Sequence, residues 1–389
     1  VRVVDPRYAL SLLALAACEN PPPATPPSQP VAPPPSAFAA AVVAAPGTSG
    51  DLASVGVVDA PAAPSPNAGM KVHLIDVGQG AATLVELSCG AVLIDTGGES
   101  GGGFESGPAL TKYLDTFFAR RADLNKTLDL VVLTHPHLDH TRNAQLVAER
   151  YTVKNVVTDG RNLGSGAKEQ KWLEEWAKAH AHLETIDAAN VPSGGLTDGV
   201  IDPVACKDVN PTIKVLWGSS ASRPEGWSAK AFENDNNQSV VVRVDVGDAS
   251  LLVMGDLEKE GIAALLEKHR GSDALDADVL EVGHHGSDNG TTKKLLDAVS
   301  PTFALIAVGP FDRAGEWSAL EFGHPRRSTV TLLSAATSIT RDPVVVHVGT
   351  AKKTFETFEL SKAIYATGWD GDIVVSATSD SDYRVRSSK

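Results

Sequence analysis

Cysteine, long apolar runs and positive charge are all in short supply here. Three cysteines in 389 residues are too few for a disulfide framework or a four-thiolate zinc site. No apolar run approaches the ~20 residues that a membrane-spanning helix requires, which argues against a helical transport channel. The 34 lysines and arginines are outnumbered by 48 acidic residues, giving a net charge of −14. That balance argues against a broad basic surface gripping duplex DNA without regard to sequence. A small phosphate-containing substrate is not excluded, because bound metal ions supply positive charge locally. What is present, 42% hydrophobic and 21% charged residues, suits a soluble globular core.

Arg2 and Arg7 flank the start of a short apolar segment, Tyr8 to Ala17, that suits the core of an export signal. Its ending, Leu15-Ala16-Ala17-Cys18, resembles the lipobox of bacterial lipoproteins. The resemblance implies a lipid anchor on Cys18 as the only membrane attachment, with the protein facing the periplasm or cell exterior; an ordinary cleaved signal is the alternative. Residues 19–68 hold much of the proline, including Pro21-Pro22-Pro23 and Pro33-Pro34-Pro35, and cannot bury enough apolar surface to fold, so an extended tether is expected. Residues 69–389 form the expected folded domain. Cys89 and Cys206 fall inside it and could pair in an exported protein, although sequence gives no distance between them.

Within the domain, the apolar run Val131-Val132-Leu133 reads as a buried parallel strand and ends in His135-Pro136-His137-Leu138-Asp139-His140. Imidazole and carboxylate at that density, at the carboxyl end of a strand, point to a divalent-metal site. Earlier strands end in Asp76-Val77-Gly78-Gln79-Gly80 and Asp95-Thr96-Gly97-Gly98; later come Asn236-Asn237-Gln238-Ser239, Gly255-Asp256, Gly283-His284-His285-Gly286 and Gly323-His324-Pro325. Spacing predicts helices over 108–121, 168–182, 258–269 and 326–338, with 219–234 as loop. His180 and His182 read as surface residues.

These motifs, in this order, resemble the metallo-β-lactamase fold, and within it the hydrolase domain of the ComEC competence family. The resemblance implies an α/β (α+β) domain built as a four-layer αββα sandwich, with two divalent ions at one edge. Zinc or manganese is expected, magnesium less so, because Asn236 stands where many members place a histidine. His135 and His137 would bind one ion, Asp139 and His140 the other, and Asp256 would bridge. His285 is favoured as the last ligand over His284, which would then relay protons; the choice stays open. Asp95 would orient the histidine loop, with a turn cap as the plainer alternative; Asp76 reads equally as a turn residue. Gln79, Asn236, Asn237 and Ser239 are expected around the ions or substrate. Arg326 and Arg327 could clamp phosphate or simply face solvent. The implied activity is phosphodiester hydrolysis, on nucleic acid, nucleotide or another phosphodiester, with Asp139 and Asp256 orienting the attacking water and His284 or His324 protonating the leaving oxygen. Amide or ester hydrolysis by the same centre is one alternative, and a non-catalytic surface-anchored binding protein is another.

Overall fold

The computed structural model describes residues 39–43 and 68–389; the signal segment and Cys18 lie outside the described residues. Alternation along each strand sorts side chains onto two faces. Val92 and Ile94 of strand Ala91–Ile94 join one core cluster, whereas Ala91 and Leu93 join another. Leu130 and Val132 divide from Val131 and Leu133 in the same way. Both faces are covered, as a continuous apolar run requires.

A nine-stranded sheet runs Ala39–Val43, Tyr383–Ser387, Ile373–Thr378, Ala68–Leu74, Thr83–Leu87, Ala91–Ile94, Leu130–Val132, Asn155–Thr158, His182–Thr185. A six-stranded sheet runs Pro211–Trp217, Val241–Val246, Ala249–Val253, Val279–Glu281, Phe303–Ile306, Ile364–Ala366. Their inner faces meet, with Val72, Val85 and Val132 sharing a cluster with Ile213, Val242, Leu251 and Leu305. Helices Ser106–Arg120, Ala144–Arg150 and Ala167–His180 cover the outer face of the larger sheet through Leu110, Leu114, Val147 and Leu173. Lys259–Lys268, Lys293–Val299 and Arg327–Ala336 cover the smaller through Leu265, Leu296 and Leu333. The layers are helix, sheet, sheet, helix, the αββα sandwich that the motifs imply.

Four details differ from the sequence reading, the first being that the helix expected over 168–182 ends at His180 and His182 opens a strand. Ala39–Val43, inside the stretch read as a tether, is a strand paired antiparallel with Tyr383–Ser387. The 219–234 segment contains a short helix, Ala229–Glu233, started by the Ser228 side chain accepting from the Ala231 N–H. Thr340–Ala351 and Thr354–Lys362 form a long hairpin, where the sequence alone reads only Val344 to Val348 as a strand. Cys89 and Cys206 are joined as a disulfide, fastening the turn before Ala91–Ile94 to the long loop before Pro211–Trp217.

Candidate metal centre

Parallel pairing brings the site together. Ala91–Ile94 and Leu130–Val132 are parallel, so Asp95 and the histidine loop leave the sheet at the same edge. Ala249–Val253, Val279–Glu281 and Phe303–Ile306 are also parallel, so Asp256, His284-His285 and Ala307 leave theirs together. The two edges converge where Asp139, His140, Asp256 and His285 offer donor atoms all within 4.8 Å of one another.

The hydrogen bonds around this cluster fix which atoms face inward. Asp95 accepts from the Thr134 N–H and Oγ1–H, each at 2.8 Å, and from His140 Nδ1 at 2.7 Å. His285 Nδ1 donates to the Ala307 carbonyl at 2.7 Å. His135 Nδ1 donates to Thr134 Oγ1 at 3.2 Å. With each outer nitrogen committed as a donor, the inner nitrogens present lone pairs. His140 Nε2 and His285 Nε2 stand 3.2 Å apart, and His135 Nε2 stands 3.0 Å from His137 Nδ1. Asp256 joins the two halves, its Oδ1 lying 3.2 Å from His140 Nε2 and its Oδ2 3.5 Å from His285 Nε2 and 3.9 Å from His135 Nε2. Acceptors facing acceptors in a buried pocket need positive charge between them, and this nitrogen and oxygen set fits divalent cations.

Protons feel the same field. Burial alone would depress His285, but the Asp256 and Asp139 carboxylates outweigh it and hold the imidazole at about 10. Burial likewise opposes charge on His140, yet Asp256 and Asp95 raise it well above the ordinary value. His135 goes the other way, pushed well down by burial and then by His140 and His137.

Glycine allows the histidine loop its close support. A Cβ on Gly97 would fall 1.7 Å from the Asp139 carbonyl oxygen, and the neighbouring Thr96 N–H donates to the His140 carbonyl at 2.8 Å. Only a residue without a side chain lets these two backbones approach so closely.

The remaining expected residues separate. Asn236, Asn237 and Ser239 lie on the short 3₁₀ turn Asp235–Gln238 and its exit. Ser239 Oγ accepts from the Asp256 N–H at 3.1 Å. Asn237 is fully buried and bonded to Gly261 and Ala231, so it braces the turn. Asp76 is also engaged elsewhere, its carboxylate accepting from the Gly78 N–H at 3.2 Å and from Lys389 at 3.4 Å. Gln79 is buried, with its side-chain Nε2 lacking a partner among the described residues. His284 points its Nε2 toward Asp256 at 3.8 Å and its Nδ1 toward Glu258 at 3.6 Å. His324 is buried, its ring 5.9 Å from that of His284 and 6.5 Å from that of His285; burial and then both neighbours push its pKa well down. Arg327 pairs with Glu356, whereas Arg326 Nε is buried and has no partner among the described residues. His180 is exposed and stacks on Trp176 at 4.9 Å. Glu258 went unmarked in the sequence, where a glutamate at a helix start carries no signal of its own.

A fold of this layering, with a histidine–aspartate cluster at the sheet edges, defines a class. The Metallo-beta-lactamase superfamily model matches residues 75–309, and the chain belongs to that superfamily. Within it, the chain is similar to the ComEC-like competence proteins. It is 29% identical over 275 residues to ComE operon protein 3 of Bacillus subtilis, covering 68% of this chain and 30% of that protein. To Recombination protein 2 of Haemophilus influenzae it is 26% identical over 259 residues, covering 65% of this chain and 25% of that protein. The chain thus spans 30% and 25% of the lengths of these two relatives. Among solved structures, the metallo-beta-lactamase fold protein YhfI from Bacillus subtilis aligns at 14% identity and a TM-score of 0.35, covering 61% of this chain and 85% of that one.

Proposed function

We propose that the chain is a two-metal phosphodiesterase. The observation that carries this reading is the position of Asp256, one carboxylate reaching both the His135 side and the His140–His285 side at 3.9, 3.2 and 3.5 Å. A carboxylate so placed can serve two ions about 3.5–4 Å apart. His135, His137 and Asp256 would hold one, and Asp139, His140, Asp256 and His285 the other. Zinc or manganese suits this set better than magnesium, and such ions supply Lewis acidity toward phosphate oxygens and acidify water.

The chain's own residues do the rest. Asp139, with 27% of its side chain exposed, lies at the mouth of the cluster and orients the attacking water. His284 is 19% exposed between two carboxylates and is placed to pass a proton to the leaving oxygen. His324 is less suited to that task, because its surroundings disfavour the cationic form, and we assign it to orientation of the substrate. Nucleic-acid phosphodiesters are the substrates we put first, a reading supported by relatives named for a competence operon and for recombination. The disulfide suits an oxidising compartment, in keeping with export and anchorage at Cys18. No helix of the described residues is long and apolar enough to cross a membrane.

Hydrolysis of bis-p-nitrophenyl phosphate, measured with zinc, manganese and magnesium beside a chromogenic lactam, tests the reading. His137→Ala should lower phosphodiester turnover beyond the ~10–100-fold typical of losing an outer partner. Undiminished turnover in that variant, or turnover of the lactam alone, would overturn it.

A further inference from the structure

Among the described residues, Trp317 is the one aromatic among the large apolar side chains that stand exposed, at 60%; the other tryptophans are buried or half-buried. A single exposed apolar residue is ordinary in itself. This one is set apart by how it is held and by what stands behind it.

The segment that carries it, 309–318, is fastened to its neighbours. Phe311 stacks on His347 with ring centroids 3.7 Å apart. The Arg313 guanidinium lies 4.1 Å over the Phe104 ring and donates to the buried Glu99 carboxylate at 3.0 Å. Ser318 is buried, donates its N–H to the Gly315 carbonyl at 3.3 Å and accepts at Oγ from the Glu321 N–H at 3.3 Å, which caps the short helix Ala319–Phe322. Between these anchors Trp317 has a φ of 67°, a left-handed conformation that a bulky residue keeps only where its surroundings over-determine it. The indole is thus held out by a fixed turn.

Behind it, rings lead inward to the candidate metal centre. The indole centroid is 6.1 Å from that of Phe322, which is 5.5 Å from that of His324. His324 in turn is 5.9 Å from His284 and 6.5 Å from His285. Phe322 and His285 stand nearly parallel to His324, at 21° and 24°. A row of rings from solvent to the site suits unpaired bases, since every base has a π-face to stack. The charges nearby agree with that choice. Arg313 is paired with Glu99, and Lys353 with Glu321 at 2.8 Å, so both cations are already engaged, and stacking is the contact left open.

We propose that Trp317 is a specificity-determining residue that stacks an unpaired nucleobase of the strand whose phosphodiester lies at the metal centre, so that single strands are taken in preference to duplexes. The inference rests on the phosphodiesterase reading and deepens it, naming the part of the substrate held away from the phosphate and the side chain that holds it.

The test compares two strands of equal length and charge on the full chain loaded with manganese: oligothymidine, and a strand whose sugars carry no base. KM and kcat are read from hydrolysis, and the dissociation constant from the anisotropy of an end-labelled strand. In the wild type, loss of the bases should raise KM and the dissociation constant at least ~5–150-fold, the worth of one stacked base, with kcat little altered. Trp317→Ala should show a loss of that size on oligothymidine and a correspondingly smaller contrast between the strands, because both changes remove one interaction. Trp317→Phe, which keeps a ring face, should recover most of the loss. The side chain is exposed, so the core should survive these changes, with circular dichroism and metal content as the check. Wild-type KM and affinity in Trp317→Ala, an undiminished contrast between the strands in that variant, or tighter binding of a duplex than of the single strand would overturn the proposal. So would base-independent binding with a Trp317-dependent fluorescence shift on phosphatidylglycerol vesicles, which would assign the ring to a lipid surface. Base-dependent binding through Trp317 without hydrolysis would defeat the phosphodiesterase reading and leave the base contact standing.

Discussion

Asp95, His284 and His285 share a backbone region that side chains seldom enter, with φ of 59°, 52° and 51°. Each such residue costs about 1–3 kcal/mol and persists only where its surroundings over-determine it. For His284 the N–H is held by the Gly255 carbonyl at 3.1 Å; for Asp95 the three bonds to Thr134 and His140 serve. Asp95→Ala should therefore lower affinity for zinc or manganese ~10–100-fold through a misaimed His140, measured by competition with a chromophoric chelator. Residues of this kind differ in how far sequence discloses them. His135 to His140 were legible because four ligand-type side chains crowd six positions. For the adjacent His284 and His285 the sequence favoured His285 but left the choice open; the structure separates them, with His285 buried, its Nδ1 bonded to Ala307 and its Nε2 3.2 Å from Asp139, and His284 19% exposed. Glu258 was invisible because its partner Asn236 is 22 positions away.

At the scale of single elements, the turn after Ala91–Ile94 is as much a part of the site as the histidine loop. Gly97→Ala should displace the Asp139–His140 backbone, lowering both metal content and the thermal midpoint, read by elemental analysis and by melting. A second element-level device ties strand Thr83–Leu87 to helix Ser106–Arg120. Glu86 is buried and accepts from both Arg120 guanidinium nitrogens at 2.8 and 2.6 Å, from Arg121 at 3.1 Å and from His73 at 3.2 Å. Burial would raise its pKa, but His73 and Arg120 outweigh burial and carry it well below the ordinary 4.5. A depressed carboxylate stabilises the fold above its unfolded value and loses that contribution as pH falls. Unfolding free energy should thus decline below about pH 4.5, and Glu86→Gln should flatten that limb in urea titrations. Glu86→Ala should cost about 1–3 kcal/mol, because it removes the acceptor shared by Arg120, Arg121 and His73 while Arg121 keeps its pair with Asp123. Elements with a strong period were readable, including Ser106–Arg120 and Leu130–Val132. The Thr340–Lys362 hairpin was not, since Val346, Val348 and Leu360 are its only fully buried apolar side chains and the rest of each strand follows no apolar alternation.

For the whole molecule, motif order made the αββα arrangement legible, whereas the partner of Cys89 needed three dimensions. The Cys89–Cys206 bond closes a separation of 117 residues. On a loop-entropy basis it should contribute about 4–5 kcal/mol, so the denaturant midpoint should fall on reduction, or in Cys206→Ser, with the metal centre still loaded. The bond precedes strand Ala91–Ile94, and Asp95 follows it, so the disulfide and the candidate metal centre lie at opposite ends of the strands. One margin of the sandwich should answer to reductant and the other to chelator. A protease probing the 193–210 loop would sense the first and be blind to the second, so cutting rates there should rise with dithiothreitol and ignore metal removal, a contrast that would locate each fastening without any assay of catalysis.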